Sequence, residues 1–303
     1  MQLSQALSWG VQSVKSAGIQ DANIDVLAFL SHILVQNKSY IYSNLSMEFP
    51  DFAFKKFSSM IDKRIRHEPS AYIMGQKEFM SLNFLVNENT LIPRPETEIL
   101  AEEILKLFPQ TENKSLVGLD IGTGCGNIAL SLAKYNKNFR IYATDISSKA
   151  IEIARENRKR MDLERTVSFI ECNLWDYFKN EKWKNKIDFL ASNPPYIKSG
   201  HLPANPDAIG VTKRQAGLKD LAVDLSYEPK NALDGGADGL SFYGPLVDAG
   251  QFLLKKGGYL AMEIGQGQSE AVKSIARNKK VFKDIVAKKD YSGIDRIIIA
   301  RRK

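Results

Sequence analysis

Residues 115–127 read SLVGLDIGTGCGN, and the parsing of this run decides the fold. The first seven residues are an apolar stretch short enough for a buried strand. The rest is a glycine-rich turn that leads into a segment with helical spacing. A strand that passes through a tight turn into a helix opens a crossover unit. The pattern recurs downstream: FRIYATD (139–145), TVSFIEC (166–172) and IDFLASN (187–193) are further short apolar runs. Helix-like segments at 126–135 and 147–161 separate the first three strands. After a long polar connection come GYLAMEI (258–264), VFKDIVAK (281–288) and IDRIIIAR (294–301). Strands alternating with helices require crossovers, so the chain is expected to form an α/β, doubly wound, mostly parallel sheet of seven strands covered on both faces.

Residues 1–85 have a different texture, with helical periodicity. Leu3, Leu7, Val11 and Val14 share one helical face, Ile24, Leu27, Ala28 and Leu34 a second, and Phe57, Met60, Ile61 and Ile65 a third. FMSLNFLVNENTLI (79–92) mixes apolar residues with an asparagine-rich break, which predicts a hairpin. The expected organisation is a helical domain over 1–78, a β-hairpin linker over 79–92 and a larger domain over 93–303.

The net charge of +7 raises the possibility of a nucleic-acid partner. Its distribution argues against one: residues 1–85 hold eight basic and seven acidic side chains, while residues 271–303 hold eleven and three. The excess is a C-terminal feature, and a solvated face explains it as well as a phosphate-binding surface does. Apolar content of 44% is that of a globular chain. No apolar run approaches the ~20 residues of a membrane helix, and MQLSQALSWG lacks the character of a signal peptide. Cys125 and Cys172 have no metal-type spacing, so a cytoplasmic location without metal or membrane is expected.

Ligands of such sheets bind at the carboxyl ends of the strands. The loop Gly122-Thr123-Gly124-Cys125-Gly126 departs from the dinucleotide spacing G-x-G-x-x-G, because the third glycine comes one residue early and position 127 is Asn. That arrangement suits a nucleoside ligand without a phosphate. Asp145 ends the second strand, 21 residues beyond Gly124, where a carboxylate can accept both ribose hydroxyls or cap the following helix. Asp120 can orient the loop or cap a turn. Asn173 and Leu174 end the third strand, as a polar acceptor and apolar wall for a purine or as a strand-exit turn. Asn193-Pro194-Pro195-Tyr196 ends the fourth.

The D-x-G-x-G-x-G loop, the acid after strand two and N-P-P-Y after strand four resemble S-adenosylmethionine-dependent methyltransferases that modify planar amino groups. LIPRPETE (91–98), HEPSAYIMGQKEF (67–79), SNPPYI (192–197) and YEPKNALDGGADGL (227–240) resemble, more narrowly, the protein-(glutamine-N5) methyltransferases acting on peptide chain release factors. The likeness spans nearly the whole chain. It implies S-adenosylmethionine as cofactor and S-adenosylhomocysteine as product, with residues 122–126, Asp145, Asn173, Leu174 and Asn193 around it. It implies a helical first domain that recognises a release factor, and a PRPETE segment that lines the cavity. PANPDAIGVTKRQAGLKD (203–220) is extra material relative to that family, and Asn173 stands where relatives often carry an acid.

The chemistry of the fourth strand's turn follows from its residues. An amide nitrogen is a poor nucleophile because its lone pair is delocalised into the carbonyl. Transfer of a methyl requires that lone pair to be aimed at the methyl carbon from ~3 Å. Asn193 Oδ1 and the Pro194 carbonyl can hold the two N–H groups, and both residues precede proline, which confines them to extended torsions. Tyr196 offers a face on which a planar group can stack. Catalysis is therefore expected from Asn193, Pro194 and Tyr196, with Pro195 completing the substrate contact. The alternative is an amino methyltransferase acting on adenine or cytosine of nucleic acid, which shares the same four residues. Pro95, Glu96 and Glu98 suit the start of a helix. Glu263 reads as a fold-supporting acid, and Trp175 and Trp183 as packing residues.

Overall fold

A computed structural model describes residues 1–110, 115–202 and 225–303, so the extra run 203–220 lies outside the described residues. The chain divides into two compact units. One takes in Met1–Gln76 with residues 225–227, and the other Lys77–Leu202 and Glu228–Lys303.

The first unit is helical: α1 (Leu3–Ser16), α2 (Ala22–Leu34), α3 (Lys38–Ser43), α4 (Asp51–Arg64) and α5 (Ser70–Met74). Leu3, Val14, Val26, Phe29, Leu30, Phe57 and Ile61 form its core, with Leu7 and Val11 packed against it. The buried stripe of α2 centres on Val26, Phe29 and Leu30. That leaves Ile24 on the opposite face at 58% exposure, a correction to the inner face expected for it. Ile65 is likewise exposed, because it caps α4 where the helix ends.

The hairpin pairs β1 (Gln76–Phe79) with β2 (Leu82–Leu85), earlier than 79–92. Its turn is Met80-Ser81, with φ of 51° and 55°. A two-residue turn with both φ positive matches the twist of paired strands but is normally announced by Asn-Gly, and neither residue is present here. The asparagine-rich stretch makes a second turn, in which Asn87 accepts from the Asn89 N–H through its side chain (3.0 Å) and from the Thr90 N–H through its carbonyl (3.0 Å).

The second unit runs α6 (Pro95–Leu107), β3 (Leu116–Ile121), α7 (Asn127–Tyr135), β4 (Phe139–Asp145), α8 (Ser148–Arg160), β5 (Val167–Glu171) and β6 (Ile187–Ser192). It continues with α9 (Lys230–Leu233), α10 (Tyr243–Leu253), β7 (Leu254–Glu263), α11 (Ser269–Asn278), β8 (Phe282–Lys289) and β9 (Asp295–Arg302). The seven-stranded sheet has the order β5-β4-β3-β6-β7-β9-β8. The first five are parallel and β9 is antiparallel to both neighbours. Every residue of β6 is buried, as a central parallel strand requires. Gly118 lets the Phe189 ring cross β3: a Cβ there would lie 2.3 Å from it. The winding order of the strands reverses between β3 and β6, so the carboxyl ends of β3–β6 open on one crevice. Among the described residues no helix is long and apolar enough to cross a membrane.

Asn157 of α8 is fully buried and joins three segments: its Oδ1 accepts the Leu85 N–H at 2.7 Å, and its Nδ2 donates to the carbonyls of Leu85 and Cys125, both at 3.0 Å. Replacing it with alanine strands polar groups in a dry site. Asn157→Ala is expected to lower the unfolding free energy by about 1–3 kcal/mol, read from urea denaturation. An unchanged midpoint and slope would show that β2 and the glycine loop do not depend on this link.

Candidate active site

At the crevice the structure opens a cavity of about 260 Å³. Of the residues the sequence singled out, Gly122, Gly124, Asp145, Asn173, Leu174, Asn193, Pro194 and Pro195 all line it. They come from the ends of four strands. Thr123, Cys125, Gly126 and Tyr196 do not line it, and each has a different setting.

The three loop glycines divide into two kinds. At Gly122 and Gly124 φ is +76° and +55°, and nothing lies within 4 Å of the position a Cβ would take. These two expose bare main chain to the cavity. At Gly126, with φ +85°, a Cβ would meet Leu130 and Phe169 at 3.0 Å, so this glycine serves the packing of the loop on α7 and β5. Thr123 is buried and donates its hydroxyl to Asp120 Oδ2 at 2.6 Å. Cys125 is buried as a small filler, its thiol pushed up to about 12 by loss of solvation. Asp145 accepts the Gly124 N–H on Oδ2 (2.8 Å) and the Ser147 N–H on Oδ1 (2.9 Å). Each of its oxygens keeps a second lone pair for a hydroxyl at the cavity. The loop, the acid and the Asn173–Leu174 wall together could hold a nucleoside-bearing cofactor.

The Asn193–Tyr196 turn is braced from several sides. The Ser192 hydroxyl donates to the Ile121 carbonyl at 2.7 Å, tying the end of β6 to the end of β3. Gln268 Nε2 donates to the carbonyls of Tyr196 and Gly239, both at 3.1 Å, while its Oε1 accepts from the Gly265 N–H (2.8 Å) and the Tyr243 hydroxyl (3.1 Å). The Ile197 N–H reaches the Leu233 carbonyl at 3.0 Å, and Gly235 N–H reaches the Ile197 carbonyl at 2.8 Å. Residues 233–239 are thus a splint for the turn. Tyr196 is half-buried, edges a neighbouring surface cavity and directs its hydroxyl to Glu263 Oε1 at 3.3 Å.

Periodicity did not reveal the outer walls. Asn89, Thr90 and Leu91 from the turn after the hairpin, and Pro229, Asn231, Ala232 and Phe242 from the chain on either side of the splint, complete the cavity. A partly buried ion pair holds these walls together: Arg94 Nη2 bonds Glu228 Oε1, and the Ile92 N–H donates to Oε2 at 3.0 Å. The PRPETE run contributes no lining residue after Leu91. Its Thr97 instead stands behind the turn, accepting from Asn193 Nδ2 at 3.1 Å and donating to Glu263 Oε2 at 2.6 Å. Co-occurrence of PRPETE and YEP in one sequence was the available signal for these walls, since Arg94 and Glu228 belong to those two runs.

Residues 5–75 match the family model described as PrmC N-terminal domain, and residues 112–296 the model described as methyltransferase domain. The release factor glutamine methyltransferase of Moorella thermoacetica is 35% identical over 303 residues, covering 100% of this chain and 99% of that one. That of Clostridium acetobutylicum is 33% identical over 302 residues, covering 100% and 99%. The chain belongs to the release factor glutamine methyltransferase family. Among solved structures, the catalytic domain of hMettl16 in complex with a MAT2A 3′UTR hairpin aligns with TM-score 0.54 at 14% identity, over 86% of this chain and 84% of that one. The human methyltransferase 10 domain containing protein aligns with TM-score 0.51 at 17% identity, over 73% and 89%. At those identities the likeness is of fold. The seven-stranded methyltransferase sheet expected from the sequence is therefore present, and the chain is a methyltransferase.

Asp120 offers a check on the loop. Burial pushes its carboxyl up to about 7, offset in part by the Thr123 hydroxyl, and its Oδ1 has no partner among the described residues. The folded state thus holds this proton more tightly than the unfolded chain, so the contribution is full below about 4 and is lost as pH rises through about 7. Asp120→Asn keeps an acceptor for Thr123 and removes the titration. Stability of the enzyme relative to Asp120→Asn, from urea melts, is expected to decline across that window; parallel curves would mean that Asp120 is ionised in the fold.

Proposed function

We propose that this methyltransferase moves a methyl group from S-adenosylmethionine to the side-chain amide nitrogen of the glutamine in the Gly-Gly-Gln motif of peptide chain release factors, with the helical N-terminal unit recognising the factor. The observation that carries the reading is the meeting of the glycine loop and the Asn193–Pro195 turn on one cavity. The bare main chain at Gly122 and Gly124 is a cradle that any Cβ would begin to fill, which fits a ligand laid close to the loop. Gly122, Gly124, Asp145, Asn173 and Leu174 would hold the nucleoside. S-adenosylmethionine, when bound, supplies an electrophilic methyl on a sulfonium sulfur.

This chain's residues then have to solve the problem of a weak nucleophile. Asn193 Oδ1 and the Pro194 carbonyl accept the two N–H hydrogens of the glutamine amide and turn its nitrogen toward the glycine loop. As the nitrogen acquires positive charge those hydrogens become more acidic and the two acceptors bind more strongly, so the gain is larger in the transition state than in the ground state. The bound cofactor would supply the methyl for the new nitrogen–carbon bond and leave as the neutral thioether, and the surplus proton would pass to water. No strong general base is needed beforehand. Full-length similarity to proteins named for release factors supports a protein acceptor over an adenine or cytosine of nucleic acid.

Incubation with methyl-labelled S-adenosylmethionine, a release factor, the same factor with its Gly-Gly-Gln glutamine replaced, and duplex DNA tests this directly. Label is expected on the intact factor alone. Label on DNA but not on the factor would refute the substrate, and label retained by the glutamine-less factor would refute the acceptor. Asn193→Ala is expected to keep cofactor affinity while kcat falls on the order of 100-fold, the scale for one lost transition-state hydrogen bond. A parallel fall in cofactor affinity would make Asn193 chiefly a cofactor contact.

A further inference from the structure

Thr97 and Glu263 are each 1% exposed, lie 166 residues apart in the chain, and do not line the cavity. Their hydrogen bonds nonetheless decide which end of Asn193 faces it. The Thr97 hydroxyl has one hydrogen, which it donates to the Glu263 carboxylate, the hydroxyl oxygen and Oε2 being 2.6 Å apart. Only lone pairs of the Thr97 oxygen remain for Asn193, so that oxygen can pair with the NH2 end of the amide and not with the carbonyl end. The contact is indeed to Nδ2, at 3.1 Å. A planar amide held by its nitrogen presents its oxygen on the other side, and among the described residues no group donates to Asn193 Oδ1.

We propose that Thr97 and Glu263 are positioning residues for methyl transfer: the Glu263 carboxylate makes the Thr97 hydroxyl an acceptor, and Thr97 in turn holds Asn193 with its carbonyl oxygen toward the methyl-accepting nitrogen. This rests on the function proposed above and deepens it. The relay has a definite failure mode. A protonated Glu263 can donate to Thr97, whose hydrogen then turns toward Asn193 and favours the reversed amide. Asn193 would then meet the substrate NH2 with its own NH2, donor against donor, and the acceptor pair would be lost.

The surroundings make that protonation accessible. Glu263 ends β7 and is faced by Glu96 and Thr97 from α6, by Arg296 from β9, by the Tyr196 hydroxyl, and by the Tyr243 hydroxyl of α10, whose one hydrogen is shared between Gln268 Oε1 and the Glu263 carbonyl at 3.2 Å. Burial is the dominant influence and pushes the carboxyl up to about 7; Thr97, Tyr196 and Arg296 act the other way and Glu96 adds to the rise. Since the ionised form is the one that orients Asn193, turnover should increase with pH through about 7.

The test uses Thr97→Val, Thr97→Ser and Glu263→Gln in the full chain, with kcat and KM for a release factor, cofactor affinity by calorimetry and thermal melting. Thr97→Val, which keeps the shape and removes the hydroxyl, is expected to lose about 10- to 100-fold in kcat while KM and cofactor affinity stay within about twofold. Thr97→Ser is expected to recover most of that loss. Wild-type kcat is expected to rise between pH about 6 and about 8, and Glu263→Gln, whose amide cannot ionise, to lack that limb. Thr97→Val at wild-type kcat, Thr97→Ser as impaired as Thr97→Val, or a pH limb that survives Glu263→Gln would each overturn the proposal. Should Thr97→Val fail to fold, the Glu263→Gln profile decides alone. A wild-type enzyme that labels no release factor overturns the function and this relay together, an outcome visible before any variant is compared.

Discussion

The turn after β6 has almost no torsional freedom of its own. Asn193 and Pro194 both precede proline, which holds them extended, and the prolines offer no N–H by which neighbours could pull the main chain elsewhere. Where its oxygens point is therefore settled by what surrounds the turn. Ser192 ties it to β3, Gln268 and the Leu233–Gly239 splint fix its far end, and Thr97 holds the Asn193 side chain. Each brace comes from a different part of the second unit. A pair of acceptors held in place before substrate arrives does not have to reorganise during reaction, which is the condition under which such groups contribute most.

Behind the same crevice stand two acids whose burial works against their ionisation. Asp120 at the end of β3 and Glu263 at the end of β7 are both pushed up to about 7 by loss of solvation. An apolar residue at either place would cost the fold nothing in desolvation. What the acids provide is direction: each accepts a threonine hydroxyl, Asp120 from Thr123 within the glycine loop and Glu263 from Thr97 behind the acceptor turn. On the proposed function, one orients the loop where the cofactor would lie and the other the side chain that would meet the substrate. Sites that give up some stability for geometry in this way are where local rules of folding are commonly broken.

The layered fold was legible because its signals are local. Alternating strands and helices, and the strand ends that carry Gly122, Asp145 and Asn193, follow from periodicity and turn chemistry within short windows. The hairpin register was not, since Met80 and Ser81 adopt the positive φ that sequence signals assign to glycine or asparagine. Ile24 misled for a related reason: apolar spacing defines a face, and packing of Val26, Phe29 and Leu30 chose another one. The cavity's outer walls and the Thr97–Glu263 pair depend on contacts between residues far apart in the chain, such as Ile92 with Glu228 and Asn193 with Thr97. No periodicity records such pairings. Glu263 read as a supporting acid because its partner could not be seen.

A crystal structure of the protein with S-adenosylhomocysteine and a Gly-Gly-Gln peptide would show directly whether the two acceptors hold the glutamine amide. The glutamine side-chain nitrogen is expected about 3 Å from both Asn193 Oδ1 and the Pro194 carbonyl, with Asn193 Nδ2 still on Thr97. A glutamine bound away from these oxygens, or an Asn193 whose NH2 faces the peptide, would contradict that arrangement.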